Sequence, residues 1–145
     1  MKKLLLLSAF ALLGFSSCNN DDDNDNNPEP TDGLQQIWTL VRVSGGFAGT
    51  TATFPVNQIM WSFADNGTVI IHNNNTDTSK EDYFDSGTYP YLVKDNTAQI
   101  EMCPKAMEID QINFSCYKIQ NDSLILDNAP ADGHTLVLVK AVPMD

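Results

Sequence analysis

The feature that most constrains this chain is alternation. From Ile37 onward, period-two alternation dominates, and no segment sustains an apolar stripe at helical spacing. Ile37–Val43 sets Trp38, Leu40 and Arg42 on one face and Ile37, Thr39, Val41 and Val43 on the other. The same period marks Ile59/Trp61/Phe63, Tyr89/Tyr91/Val93, Ala98/Ile100/Met102, Ile112/Phe114/Cys116 and Leu124/Leu126, and the apolar runs Val69–Ile71 and Thr135–Ala141 read as two further strands. Between these runs stand Asp65-Asn66-Gly67, Asp95-Asn96 and Asn121-Asp122, residues that tolerate the positive φ of tight hairpin turns. Pro90 predicts a bulge or an edge, because proline donates no ladder bond. Two long loops remain, Ser44–Phe54 ended by Pro55 and Asn73–Gly87, and Pro104–Asp110 reads as a connection that either does or does not hold a helical turn. Eight short strands in sequence order, joined by hairpins, predict an all-β, eight-stranded antiparallel up-and-down barrel, which leaves no open edge. A two-sheet sandwich is the alternative that periodicity alone leaves standing.

Leu34–Asp145, about 112 residues, is enough for one domain and one core. This part of the chain carries thirteen Asp/Glu against five Lys and the single Arg42. A surface of that sign repels nucleic acid and anionic headgroups, so neither is expected as a partner.

The first 33 residues are of another kind. Lys2 and Lys3 precede the apolar run Leu4–Phe15, and Ser16-Ser17-Cys18 follow. A short positive region, an apolar stretch too short to span a bilayer and small residues before a cut site predict a signal peptide over 1–17. Leu13-Gly14-Phe15-Ser16-Ser17-Cys18 resembles the lipobox of bacterial lipoproteins, which implies Cys18 as the lipidated N-terminus of the mature chain; an ordinary signal peptide with a chance cysteine is the alternative. Each buried methylene contributes about 0.8 kcal/mol, so two or three acyl chains of the palmitate kind hold a protein on a membrane without a spanning helix. Residues 18–33 combine a run of Asp and Asn with Pro28 and Pro30 and almost no apolar surface, the composition of a disordered, extended tether. Asp21, Asp22 and Asp23, close after the cysteine, are similar to the surface-export signal of Bacteroidetes-type lipoproteins. That implies an outer-membrane lipoprotein displayed at the cell surface, with a periplasm-facing anchor as the other orientation.

Trp38 opening the first strand, the meander of eight strands and the closing Leu136-Val137-Leu138-Val139-Lys140 resemble the small lipocalin-like lipoproteins of Bacteroidetes. The lipocalin family places a basic residue near the end of its last strand against the tryptophan, a role the resemblance gives to Lys140. Where that family has a glycine two residues before the tryptophan, this chain has Gln36.

Chemistry is sparse. His72 and His134 are far apart in sequence, and no metalloprotease, dithiol, nucleophile-elbow or phosphate-loop motif occurs, so neither catalysis nor a cofactor is expected. Asp77, Glu81, Asp82 and Asp85 lack the alternating spacing and turn glycine of a calcium loop, and no metal is expected there. Cys103 and Cys116 in an oxidising compartment predict a disulfide, with two separately buried thiols as the alternative.

The candidate ligand contacts are Trp38, Leu40, Arg42, Trp61, Phe63, Tyr89, Tyr91 and Phe114. If their faces point inward, an eight-stranded barrel has room either to fill itself with these rings or to hold one small ligand. An inward Arg42 needs a partner such as Glu101, Asp110 or a ligand carboxylate; on the opposite face it is a surface charge. Two functions compete: a membrane-anchored, non-enzymatic binding protein for a small apolar or amphipathic ligand, and a protein-interaction module using the loops 44–56 and 73–87. A hollow aromatic interior favours the first. A filled barrel with an exposed loop patch, Phe47 with Phe54 or Tyr83 with Phe84, favours the second.

Overall fold

A computed structural model describes residues 33–96, 103–128 and 132–142, which form nine strands and no helix. The signal segment, Cys18 and the tether up to Asp32 lie outside the described residues, as does the strand expected at Ala98–Met102. The strands are β1 (Ile37–Gly45), β2 (Thr50–Thr53), β3 (Ile59–Ala64), β4 (Thr68–Asn73), β5 (Gly87–Asp95), β6 (Lys105–Ile109), β7 (Ile112–Gln120), β8 (Ser123–Asp127) and β9 (His134–Lys140). All pair antiparallel. β1 and β3 to β9 run in sequence order, and β1 pairs with β9 to close an eight-stranded barrel. The barrel expected from alternation and turn chemistry is therefore present, and the sandwich is not.

Its turns follow local backbone rules. Gly67, at φ 76°, ends the three-residue loop between Ala64 and Thr68. Asn121 and Asp122 both have positive φ between the paired Gln120 and Ser123, the two-residue geometry whose twist matches that of the flanking strands. Pro90 forms neither a bulge nor an edge. Its carbonyl accepts from the Asp110 amide at the point where the β5–β6 ladder ends, so the ladder bond proline lacks would fall beyond β6.

Two segments read as connections are strands. β2 lies within the loop 44–54, and Lys105–Ile109 is β6 rather than a link or a helical turn. Two bulges then reverse the inward parity. In β1, Leu40 pairs with Leu138 but Arg42 pairs with Val137, so Val41 is an extra residue. Trp38, Leu40 and Val43 are buried, and Arg42 is exposed. The expectation that Arg42 shares the inner face of Trp38 and Leu40 is thus overturned. In β7, a shift opposite Lys105–Met107 turns both Phe114 and Tyr117 inward.

The second bulge lies beside the disulfide. Cys103, just before β6, is bonded to Cys116 of β7, with Cα atoms 5.4 Å apart, so the bridge expected from compartment is formed. Asn96 Nδ2 donates to the carbonyls of Cys103 and Ser115, and its amide donates to that of Pro104.

Burial, opposed by Lys105 and reinforced by Tyr91, pushes the Tyr117 hydroxyl up to about 12. Its folded pKa lies above the ordinary value of 10.0, so above pH 10 the unfolded chain releases a proton that the folded chain keeps. Stability is then full below about pH 10 and falls as pH rises towards 12. Tyr117→Phe, followed by denaturant melts from pH 8 to 12, is expected to flatten this fall; an unchanged slope would show that Tyr117 does not set it.

Candidate functional site

The interior is built from rings. Trp61 packs on Phe63 at 6.3 Å and edge-on against Phe84 at 5.4 Å, Phe63 meets Tyr91 at 5.1 Å, and Phe84 meets Tyr89 at 5.2 Å. Tyr83 continues the chain onto Phe114 at 5.8 Å and His134 at 5.7 Å. Trp38, Leu40, Trp61, Phe63 and Phe114 are buried and Tyr89 and Tyr91 are half-buried, so the structure gathers all the proposed ligand contacts except Arg42. They are gathered as one packed cluster.

At the other end of β1, the Trp38 Nε1–H donates to the carbonyl of fully buried Leu34 at 3.0 Å. Lys140 stands opposite Trp38 in register, and its ammonium pairs with Asp122.

Two members of the interior cluster, Tyr83 and Phe84, come from the loop between β4 and β5. An exposed Tyr83–Phe84 patch would have favoured a loop interface; the two residues instead enter the barrel mouth, Phe84 being 6 % exposed. Nor do Phe47 and Phe54 form such a patch: Phe54 is buried with the Lys80 ammonium 5.6 Å from its ring centroid, whereas Phe47 is 95 % exposed. The Phe84 amide donates to the Asp82 carbonyl around Tyr83, whose φ is 70°, a γ-turn of the rare, strained hand. Asparagines hold that turn. Asn73 Nδ2 donates to Asp82 Oδ2 and to the Phe84 carbonyl, and Asn75 Nδ2 donates to the same carboxylate. Asp77 accepts from the Ser79 hydroxyl and amide, and these bonds hold its carboxyl below the ordinary carboxylate range. Among the described residues no three His, Cys, Asp or Glu side chains converge.

A polar relay fixes the mouth. Asn128 Nδ2 donates to Tyr83 Oη, and Asn128 Oδ1 accepts from the His134 amide. The Tyr83 hydroxyl, which accepts from Asn128, also lies within hydrogen-bond distance of His134 Nδ1, at 3.0 Å. Burial raises the Tyr83 pKa above the ordinary phenol value, the Asn128 bond opposes this, and Glu81 and Asp127 reinforce it. Nε2 faces the backbone of Gly46, where a Cβ would come within 2.9 Å of it, so the β1–β2 turn and His134 meet only because residue 46 has no side chain.

Beside this relay lies a cleft of about 480 Å³. Val43 and Thr50–Thr53 form one side, Thr78–Glu81 the other, and His134 also lines it. Its two walls belong to the two long loops that the sequence marked as candidates for recognition. His134 and β2 escaped sequence reasoning. The only signals were a lone histidine and the β-branched run Thr50-Thr51-Ala52-Thr53 between glycines and Pro55. A second groove, of about 420 Å³, runs along Ile37, Asn57, Met60 and Val142, towards the opposite rim. The Asn57 Oδ1 is buried without a partner. Comparison with protein-family models, with curated proteins and with solved structures gives no match to this chain.

Proposed function

We propose that this chain is a lipid-anchored, non-enzymatic binding module that recognises a protein partner at the barrel mouth, in the cleft between β2 and residues 78–81. One observation carries the reading: the aromatic residues that would line an interior ligand site pack against one another, with Phe84 inserted among them, while the cleft between the two long loops is open. Arg42, the group that would anchor an acidic ligand inside, is exposed on the outer face. Cys18 carries the anchor and the acidic tether presents the barrel at the cell surface, as the lipobox-like string and the residues after it imply.

A second reading has one specific observation in its favour. Trp61 Nε1–H is fully buried and donates to nothing, and an unpaired buried donor costs about 1–3 kcal/mol. An interior ligand bearing an acceptor and displacing Phe84 would satisfy it. Both tryptophans of the chain are in the barrel, so their emission separates the two readings. Titration with fatty acids and neutral aromatic compounds is expected to leave it unchanged; a saturable shift would overturn the mouth reading in favour of the interior. For the anchor, Cys18→Ala is expected to move the protein from the membrane to the soluble fraction, and a variant that stays with the membrane would exclude lipidation at Cys18.

A further inference from the structure

The barrel closes every edge except one. Among the described residues each of β1 and β3 to β9 has neighbours on both sides, whereas β2 pairs only with β1. β1 is shared along one flank: its Ile37–Thr39 segment pairs with β3 and its Arg42–Gly45 segment with β2.

Which groups β2 leaves unpaired follows from ladder parity. The Phe54 amide donates to the Val41 carbonyl, so Arg42 and Thr53 between them form a non-hydrogen-bonded pair, and so do Ser44 and Thr51 two residues on. Thr51 and Thr53 therefore turn their amides and carbonyls away from β1, towards the cleft. The Thr53 carbonyl confirms this parity, because it accepts from the Lys80 Nζ at 3.1 Å. Lys80 thus bridges the cleft at one end. Between Thr51 and the facing Thr78 and Ser79 the cleft is open.

We propose that this opening receives an extended segment of a partner polypeptide, which adds as a strand to β2 through the outward amide and carbonyl of Thr51. The proposal rests on the reading of the mouth as the recognition surface and names its occupant. An unpaired strand edge is a template for another chain, and its main-chain bonds supply affinity while flanking side chains supply choice. The flanking residues here are threonines, Ser79, the exposed Glu81 and Lys80, whose ammonium is already held by the Thr53 carbonyl and the Phe54 ring. They favour a segment with small side chains and a lysine placed to meet Glu81, a sign that also complements a chain of formal net charge -11.

The probe is a synthetic hexapeptide alternating threonine or valine with lysine, blocked at both ends and titrated into the isotope-labelled chain. Saturable shifts and slowed exchange of the Thr51 and Thr53 amides are expected. Thr51→Pro removes the outward donor without touching the ladder to β1, and should weaken binding at least tenfold. The same peptide N-methylated at alternate amides should lose binding to a similar degree. Should Thr51→Pro fail to fold, Glu81→Lys on the exposed wall serves instead: the lysine peptide should weaken at least threefold and a glutamate analogue should strengthen. Equal binding by the N-methylated peptide, or no saturable shift, would overturn strand addition. With tryptophan emission still flat to fatty acids, that result removes only the strand; a saturable tryptophan response removes the mouth reading itself.

Discussion

Trp38→Ala is expected to cost the barrel about 3–5 kcal/mol, the range for deleting a large aromatic side chain from a packed core. Trp38 is completely buried, and it sits where β1 is paired on both flanks, opposite Trp61 of β3 and Lys140 of β9. Truncation opens a cavity at that junction and also removes the donor to the Leu34 carbonyl, buried at the same rim. A single domain of this size has a total stability of only about 5–15 kcal/mol, so the variant should lose a large share of it and melt well below the wild type. Trp38→Phe keeps most of the volume but loses the Nε1–H and should cost about 1–2 kcal/mol. Urea unfolding followed by the emission of Trp61 would measure both. A loss below about 1 kcal/mol for the alanine variant would mean that this ring does not close the barrel.

Removing the Cys103–Cys116 bridge should cost about 3 kcal/mol, the chain-entropy value for a closed loop of this length. The cross-link joins the start of β6 to β7 beside the β7 bulge, a part of the ladder weakened by a register shift. The Asn96 side chain bonds there to the carbonyls of Cys103 and Ser115, so loosening of the bridge should spread to the end of β5. For a domain of this length the loss corresponds to a fall in Tm of about 10 °C or more. The paired Cys103→Ala and Cys116→Ala variant should match the wild type under reductant. A Tm unmoved by reductant, with both thiols shown to be free, would show that the bridge contributes nothing.

The barrel was legible because its signals are local. Asn121-Asp122 and Asp65-Asn66-Gly67 dictate tight hairpins, and alternation through Ile59/Trp61/Phe63 marks a face whose members are all buried. Arg42 was misplaced because one extra residue, Val41, reverses every inward position after it, and a bulge leaves no mark on the alternation until the pairing partner is known. β2 and β6 were missed because they are short: four residues of threonine and alanine, and a lysine-led run holding only Met107 and Ile109 as inward anchors. The packed mouth was illegible for a different reason. Tyr83 and Phe84 stand in a polar loop, and what draws them inward is contact with Trp61 and Phe114, which are distant in sequence. The cleft, likewise, exists only once Lys80 and Thr53 meet across 27 positions of chain.

The β1–β9 seam also bears on how the fold is reached. It joins Thr39 to Val139, so the contact that completes the barrel is the one most distant along the chain and has the largest loop-closure entropy. Each hairpin from β3 to β9 forms locally, but until Thr135–Lys140 arrive, β1 and β8 both present open edges. Folding is therefore expected on the slow side for a domain of this size, as in other chains governed by non-local strand pairing. A chain emerging N-terminus first cannot close until its final strand is free. The interval before closure is when the protein is most exposed to joining its neighbours instead of itself.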